Sequence, residues 1–267
     1  MDMWGSLFEY ALVFFNLLIL SYFVVGNGVY TALMVISLRA IWVHSQRLAY
    51  QGLAELRSSS LTPPLTIIVP AWNEERIIVE TVRSALGVDY PRISVIVVDD
   101  GSTDSTLKRL AAAFKLAPMD QVYHPALPTS AVRCFYSNPH VPNLLVVHKQ
   151  RGGKPDALNT GINLCRTPYF CCLDADCILE RDSLLRLMDP ILRSPRETIV
   201  SGGIVRIING CTGRNGQIVK LGLPATSLER FQVVEYLRSF LTGRNGWSLL
   251  GGTRSSRELS PSSSVRL

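Results

Sequence analysis

The chain has 267 residues and a formal net charge of +6, which leaves room for one large domain plus an anchor. Its Lys and Arg residues are scattered, and the lack of a dense basic block excludes a nucleic-acid face. Six cysteines, at 134, 165, 171, 172, 177 and 211, form no Cys-x-x-Cys pair with zinc spacing and mostly sit in apolar stretches. They read as buried reduced thiols.

The chain opens on a membrane anchor, residues 1–45. From Ala11 to Leu38 there are 28 residues without a charge, a helix of ~42 Å, long for one span and short of two spans plus a turn. Gly26-Asn27-Gly28 is a candidate break, so a two-helix or re-entrant form stays open. Asp2 and Glu9 precede the apolar segment, whereas Arg39, Arg47 and Arg57 follow it. Positive-inside bias therefore puts everything after about residue 40 on the cytosolic side of the plasma (inner) membrane. Residues 46–64, with Ser58-Ser59-Ser60 and Pro63-Pro64, read as a linker.

Strands and helices then alternate. Leu65–Val69 is an apolar strand pattern covered on both faces, and Glu74–Leu86 is a helix with Ile77, Ile78, Val82, Ala85 and Leu86 at helical spacing. Ile93–Val98 is the next strand, followed by a helix capped by Ser102 or Thr103 and running to about Phe114. Ala117–Pro142, rich in Pro, reads as a surface excursion without structure of its own, its His124 and His140 solvated. Leu144–Val147, Tyr169–Leu173 and Thr198–Val205 supply more strands, with helices near Asp156–Leu164 and Arg181–Leu192. This βαβ series predicts an α/β fold with a mostly parallel, doubly wound sheet. Leu228, Phe231, Val234, Leu237 and Leu241 form one apolar helical stripe, suited either to packing on the domain or to lying in a membrane interface.

Four segments carry candidate chemistry if the strands are placed correctly, because open α/β sheets bind ligands at the carboxyl ends of their strands. Val69-Pro70-Ala71-Trp72-Asn73-Glu74-Glu75 sits at the first strand-to-helix turn, where helix N–H groups and a flat indole face are on offer. Asp99-Asp100-Gly101-Ser102 ends the second strand. Capping explains Ser102 and Asp104 but not two carboxylates that close an apolar run. Lys149-Gln150-Arg151-Gly152-Gly153-Lys154 provides close backbone approach and a point charge for phosphate, and on its own reads equally as a solvated basic turn. Asp174-Ala175-Asp176 ends the Tyr169–Leu173 strand. Two carboxylates one residue apart suit Mg²⁺ or Mn²⁺ bridging to a diphosphate.

In order and wording these four motifs resemble the family 2 glycosyltransferases of the GT-A type, nearest the membrane-bound synthases of poly-N-acetylglucosamine, cellulose, chitin and hyaluronan. The resemblance runs from about Leu65 to Leu250 and takes in Ser201-Gly202-Gly203-Ile204-Val205-Arg206 and Val233-Val234-Glu235-Tyr236-Leu237-Arg238. It implies a GT-A domain over residues 65–250 that uses a UDP-sugar donor, UDP-N-acetylglucosamine first among them. The reaction implied is inverting transfer onto a polysaccharide or a lipid-linked acceptor. By position, Pro70, Ala71 and Trp72 would line the uracil with Glu74 in the same loop, and Asp100, with Asp99, would read its edge. Lys154 would lie by the diphosphate, Asp174 by the nucleotide, and Asp176 with Asp174 at the metal.

The resemblance also implies a Thr/Glu-Asp general base and a Gln-x-x-Arg-Trp motif, and neither stands in the sequence. Residues 251–267 form a Ser-rich polar tail of disordered composition. Codons for Ser255–Ser260 read one base earlier can encode two apolar residues and then Ser-Gly-Ala-Phe, the family's continuation. A frame shift near residues 251–254 is therefore expected, leaving a chain that binds the donor without transferring it. A natural short protein with a Ser-rich tail is the alternative to the frame shift; the functional alternatives are a non-processive transferase to a lipid-linked acceptor and a non-catalytic nucleotide-sugar-binding remnant.

Overall fold

The computed structural model describes residues 3–50, 56–57, 59, 62–123, 125–193, 200–203, 208, 210–214, 216–220, 222–239 and 264–266. The chain divides into two compact units, one of Met1–Gln51 with Phe231–Thr253 and one of Gly52–Arg230 with Arg254–Leu267. In the first unit, α1 (Met3–Tyr50) is one unbroken helix, and Leu7–Arg39 is long and apolar enough to cross a membrane. Gly26-Asn27-Gly28 does not interrupt it. Asn27 Nδ2 bonds the Phe23 carbonyl at 2.8 Å and Thr31 Oγ1 the Asn27 carbonyl at 2.8 Å, so the polar side chains are satisfied by their own helix.

The second unit is built on an eight-stranded sheet. Its strands are β1 (Leu65–Ala71), β2 (Ile93–Asp99), β3 (Ala117–Met119), β4 (Val132–Ser137), β5 (Leu144–Lys149), β6 (Tyr169–Cys172), β7 (Val200–Gly202) and β10 (Ser264–Arg266). The order is β3-β4-β5-β2-β1-β6-β10-β7, and β8 (Thr212–Arg214) with β9 (Gln217–Lys220) forms a separate hairpin. The central pairs β5/β2, β2/β1 and β1/β6 are parallel, as the βαβ pattern predicts. Leu65, Ile67, Ile68 and Val69 are wholly buried, because this strand is covered on both faces. α2 (Ile78–Leu86) and α5 (Ser183–Arg193) pack on one face through Ile78, Val82, Leu184 and Met188, with Leu110 of α3 (Thr106–Phe114). α4 (Lys154–Leu164) covers the other face at Ala157. Gly161 makes that approach feasible, since a Cβ there would lie 2.3 Å from Ile68 Cγ2.

The sequence and the structure part in three places. Ala117–Pro142 is not a structureless excursion: β3 and β4 lie within it and extend the β5 edge in antiparallel fashion. Their signal is weak because β3 is three residues long and contains Pro118, which an outermost strand tolerates. His140 is exposed as expected, and His124 lies outside the described residues. The helix expected from Glu74 begins at Ile78, for a reason given below. Ser264–Arg266, placed in a disordered tail, pairs with both β6 and β7; residues 251–263, where the frame shift is expected, lie outside the described residues. On α6 (Ser227–Ser239) the apolar residues Leu228, Phe231, Val234 and Leu237 are exposed. Leu241, Ile204, Val205 and Arg206 fall outside the described residues.

Candidate active site

The cleft opens where β1 and β6 separate. Along β1 alternate residues address alternate neighbours: Ala71 O accepts from Asp100 N on the β2 side, and Ile68 O accepts from Leu173 N on the β6 side. Pro70 therefore turns its missing N–H toward β6, beyond the last paired residues, Ile68 and Cys172. A proline there costs no ladder bond, and the strands diverge past it. The resulting cleft, about 330 Å³, is lined by Pro70, Ala71, Trp72, Glu74, Asp100, Arg151, Gly153, Lys154, Ala157, Asp174, Ala175 and Asp176. All the predicted site residues except Asp99 are among them.

The turn after β1 is clasped to the turn after β2. Asn73 sits at φ 57°, a left-handed conformation that Asn tolerates. Its Oδ1 accepts from Thr103 N at 2.8 Å while its own N–H bonds Ser102 Oγ at 2.9 Å. Glu74 N donates to Thr106 Oγ1 and Glu75 N to Asp104 Oδ2. The N–H groups expected to be free for an anion are thus taken by side chains, and the backbone at Ile77, with φ −123°, is off the helical value, so α2 begins only at Ile78. Ser102 is consequently no cap for α3; Asp104 Oδ1 accepts from Thr106 N at 2.9 Å instead. Burial works to raise the Asp104 carboxyl, but the bonds from Thr106 and Glu75 hold it below the ordinary aspartate range. Glu74 moves the other way, raised by burial and by the negative charges of Asp176 and Asp104.

The two aspartates that end β2 serve different purposes. Asp99 is fully buried and lies off the cleft, its Oδ2 2.7 Å from His148 Nδ1 and its Oδ1 accepting from Ser102 N at 3.3 Å. Asp100 lines the cleft and accepts from Lys149 Nζ at 2.7 Å, Gly152 N at 2.9 Å and Gly153 N at 2.7 Å. Gly101, at φ 70°, allows the two turns to meet, since a Cβ there would lie 2.9 Å from Arg151 N. The Arg151 guanidinium stacks 3.8 Å above the Trp72 ring, a cation–π contact. Lys149 pairs also with Asp156. Burial raises the Asp156 carboxyl, yet its bonds with Lys149 and Ser130 bring it below the usual range.

At the end of β6, Lys154 Nζ donates to Asp174 Oδ1 at 2.5 Å. The Asp174–Asp176 turn is fixed from α2, where Thr81 Oγ1 bonds the Ala175 carbonyl at 2.7 Å. Asp174, Asp176 and Cys177 offer ligand atoms within 4.8 Å of one another. Burial, reinforced by Asp176 and Asp174, pushes the Cys177 thiol up to about 12. The carboxylate oxygens of Asp174 and Asp176 are hard donors that fit Mg²⁺ or Mn²⁺, cations for which the softer sulfur of Cys177 is a poor match. Sequence reasoning assigned no role to Arg151, Lys149, Asp156, His148 or Thr81. Only Lys149 left a usable trace, a cation ending an apolar strand in register with the strand that ends in Asp99-Asp100.

Residues 66–125 and 129–246 match the family described as Glycosyl transferase family 2. The chain belongs to that family. It has the GT-A fold, an α/β sheet that is parallel at its centre. It is 28% identical over 210 residues to chondroitin synthase of Escherichia coli, covering 76% of this chain and 26% of that protein. It is 25% identical over 138 residues to poly-beta-1,6-N-acetyl-D-glucosamine synthase of Staphylococcus epidermidis, covering 52% and 28%. The alignments thus span about a quarter of the length of these curated relatives. Among solved structures, a mannosyltransferase of Pyrobaculum calidifontis in complex with GDP-Man and Mn²⁺ overlays with a TM-score of 0.40 at 21% identity, covering 70% of this chain and 47% of that one.

Proposed function

We propose that the cleft binds a UDP-sugar together with Mg²⁺ or Mn²⁺, and that the glycosyltransferase acts in inverting synthesis of a cell-surface polysaccharide, with UDP-N-acetylglucosamine as the donor. The observation that carries this reading is the convergence of Trp72, Asp100, Lys154, Asp174 and Asp176, from separate strand ends and the α4 terminus, on one cleft of about 330 Å³. Trp72 supplies an apolar face for the base, and Asp100 an acceptor for a base N–H. Lys154 supplies a positive charge for the diphosphate. Asp174 and Asp176 hold the cation, which when bound neutralises the charge of the leaving diphosphate. The carboxylates fit that cation because they approach each other within 4.8 Å and, among the described residues, Lys154 is the cation paired with them. The polysaccharide synthases among the relatives support this product class, and the apolar α1 with its trailing arginines supports a membrane anchor with the cleft on the cytosolic side.

Calorimetric titration of the full chain in detergent with UDP, with and without Mn²⁺, tests the reading alongside a turnover assay with UDP-N-acetylglucosamine. Wild-type binding should need the cation, and Asp176→Ala should abolish the cation-dependent part. Unchanged binding by that variant would overturn the site assignment. Donor binding without hydrolysis or transfer would restrict the chain to a donor-binding role.

A further inference from the structure

Lys149 has no part in the donor reading and does not line the cleft, yet it holds Asp100, which does. Its side chain is 0% exposed. Nζ donates to Asp100 Oδ1 and to the Gln150 carbonyl, each at 2.7 Å, and pairs with Asp156 Oδ1. Asp156 Oδ2 in turn accepts from Ser130 N at 2.9 Å. One buried ammonium thereby ties the end of β2, the loop after β5, the first turn of α4 and the segment before β4.

Stability alone does not account for this. A buried ion pair adds little over well-packed apolar residues of the same volume, because desolvating the ions offsets their attraction. What the arrangement does secure is the attitude of Asp100. A carboxylate has about four acceptor positions. Three are filled here, by Lys149 Nζ and Gly152 N on Oδ1 and by Gly153 N on Oδ2. That leaves one on Oδ2 of a residue lining the cleft.

We propose that Lys149 is a positioning residue for base recognition, fixing the Asp100 carboxylate so that its remaining acceptor position selects a base with a ring N–H. The inference rests on the donor reading above. Uracil carries a hydrogen at N3, whereas cytosine carries a lone pair there and meets the carboxylate as a second acceptor. A fixed acceptor therefore discriminates between two nucleotides that share the same ribose, diphosphate and cation. An unfixed one turns away or takes other partners.

The test compares UDP and CDP binding by the full chain in detergent with Mn²⁺, for wild type, Lys149→Met and Lys149→Arg. Wild type should prefer UDP about tenfold or more, the scale of one hydrogen bond to a charged group. Lys149→Met should lose most of that preference by weakening UDP while CDP affinity stays within about threefold, and Lys149→Arg should restore it in part. Lys149→Met/Asp156→Asn, which removes one carboxylate with the cation, carries the same expectation where the single variant does not fold. Equal weakening of both nucleotides, with the preference intact, would mean that Lys149 only supports the fold and would overturn the positioning role alone. A wild-type chain that binds UDP and CDP alike would overturn the base assignment of Asp100 and the positioning role with it.

Discussion

Asp100 and Asp176 line the same cleft and are held in opposite ways. Asp100 is 3% exposed and takes three hydrogen bonds from a buried lysine and two backbone N–H groups. Asp176 is exposed, and its bond from the described residues is a weak one from the Cys177 thiol at 3.6 Å. Its neighbour Asp174 is offset by the half-exposed Lys154. The β2 side of the cleft is thus organised by the fold before any ligand arrives, which lowers the ordering cost of binding there. The β6 side leaves Asp176 exposed and Asp174 half-buried beside Lys154, the pair of carboxylates proposed to take a cation.

That contrast can be broken in several places, beginning with the largest effect. Asp176→Ala should remove Mn²⁺-dependent UDP binding altogether while shifting the denaturant midpoint little, within the ±0.5 kcal/mol of an ordinary surface change. Lys149→Met should do the reverse in stability, costing about 3–5 kcal/mol in urea unfolding because two carboxylates lose their buried counter-charge. Gly161→Ala should cost about 1–3 kcal/mol by forcing α4 off Ile68, with the Mn²⁺ dependence of binding retained. Lys154→Ala should weaken UDP binding more than Mn²⁺ binding and leave stability within about 1 kcal/mol, since its pair with Asp174 is solvent-exposed.

The smallest effect is in acid. Asp156 has a folded pKa below its unfolded value, so its contribution is complete above the ordinary aspartate pKa of about 3.9 and fades as pH falls through the folded value. Asp156→Asn should therefore flatten the loss of stability below about pH 4, measured by fluorescence-monitored unfolding. An acid limb identical to wild type would show that the Lys149 pair contributes no pH dependence.

The elements with strong local patterns were legible in the sequence. β1 and β2 declare themselves by unbroken β-branched runs, and the carboxylates at the ends of β2 and β6 follow from where those runs stop. β3 and β4 did not show, because a three-residue strand containing Pro118 has no period to read. The start of α2 was misjudged for another reason. Its propensity pattern begins at Glu74, but the turn is clasped to Ser102, Asp104 and Thr106, about thirty residues away, and Asn73 at φ 57° and Ile77 at φ −123° depart from helical geometry.

The chemistry of the site was fixed by residue type and order. Two carboxylates one residue apart at a strand end, an indole at the first turn and a lysine opening a helix are the groups on which the proposed nucleotide-diphosphate cleft rests, and the parallel sheet brings them to one cleft. Tertiary structure alone decided which groups face that cleft and which are spent holding it. Asp99 and Asp100 are neighbours with the same side chain, yet their side chains leave the strand on opposite sides, one to His148 and the other to Lys149 and the cleft. That division depends on the register of β5 against β2, a contact between segments some fifty residues apart that no local pattern records.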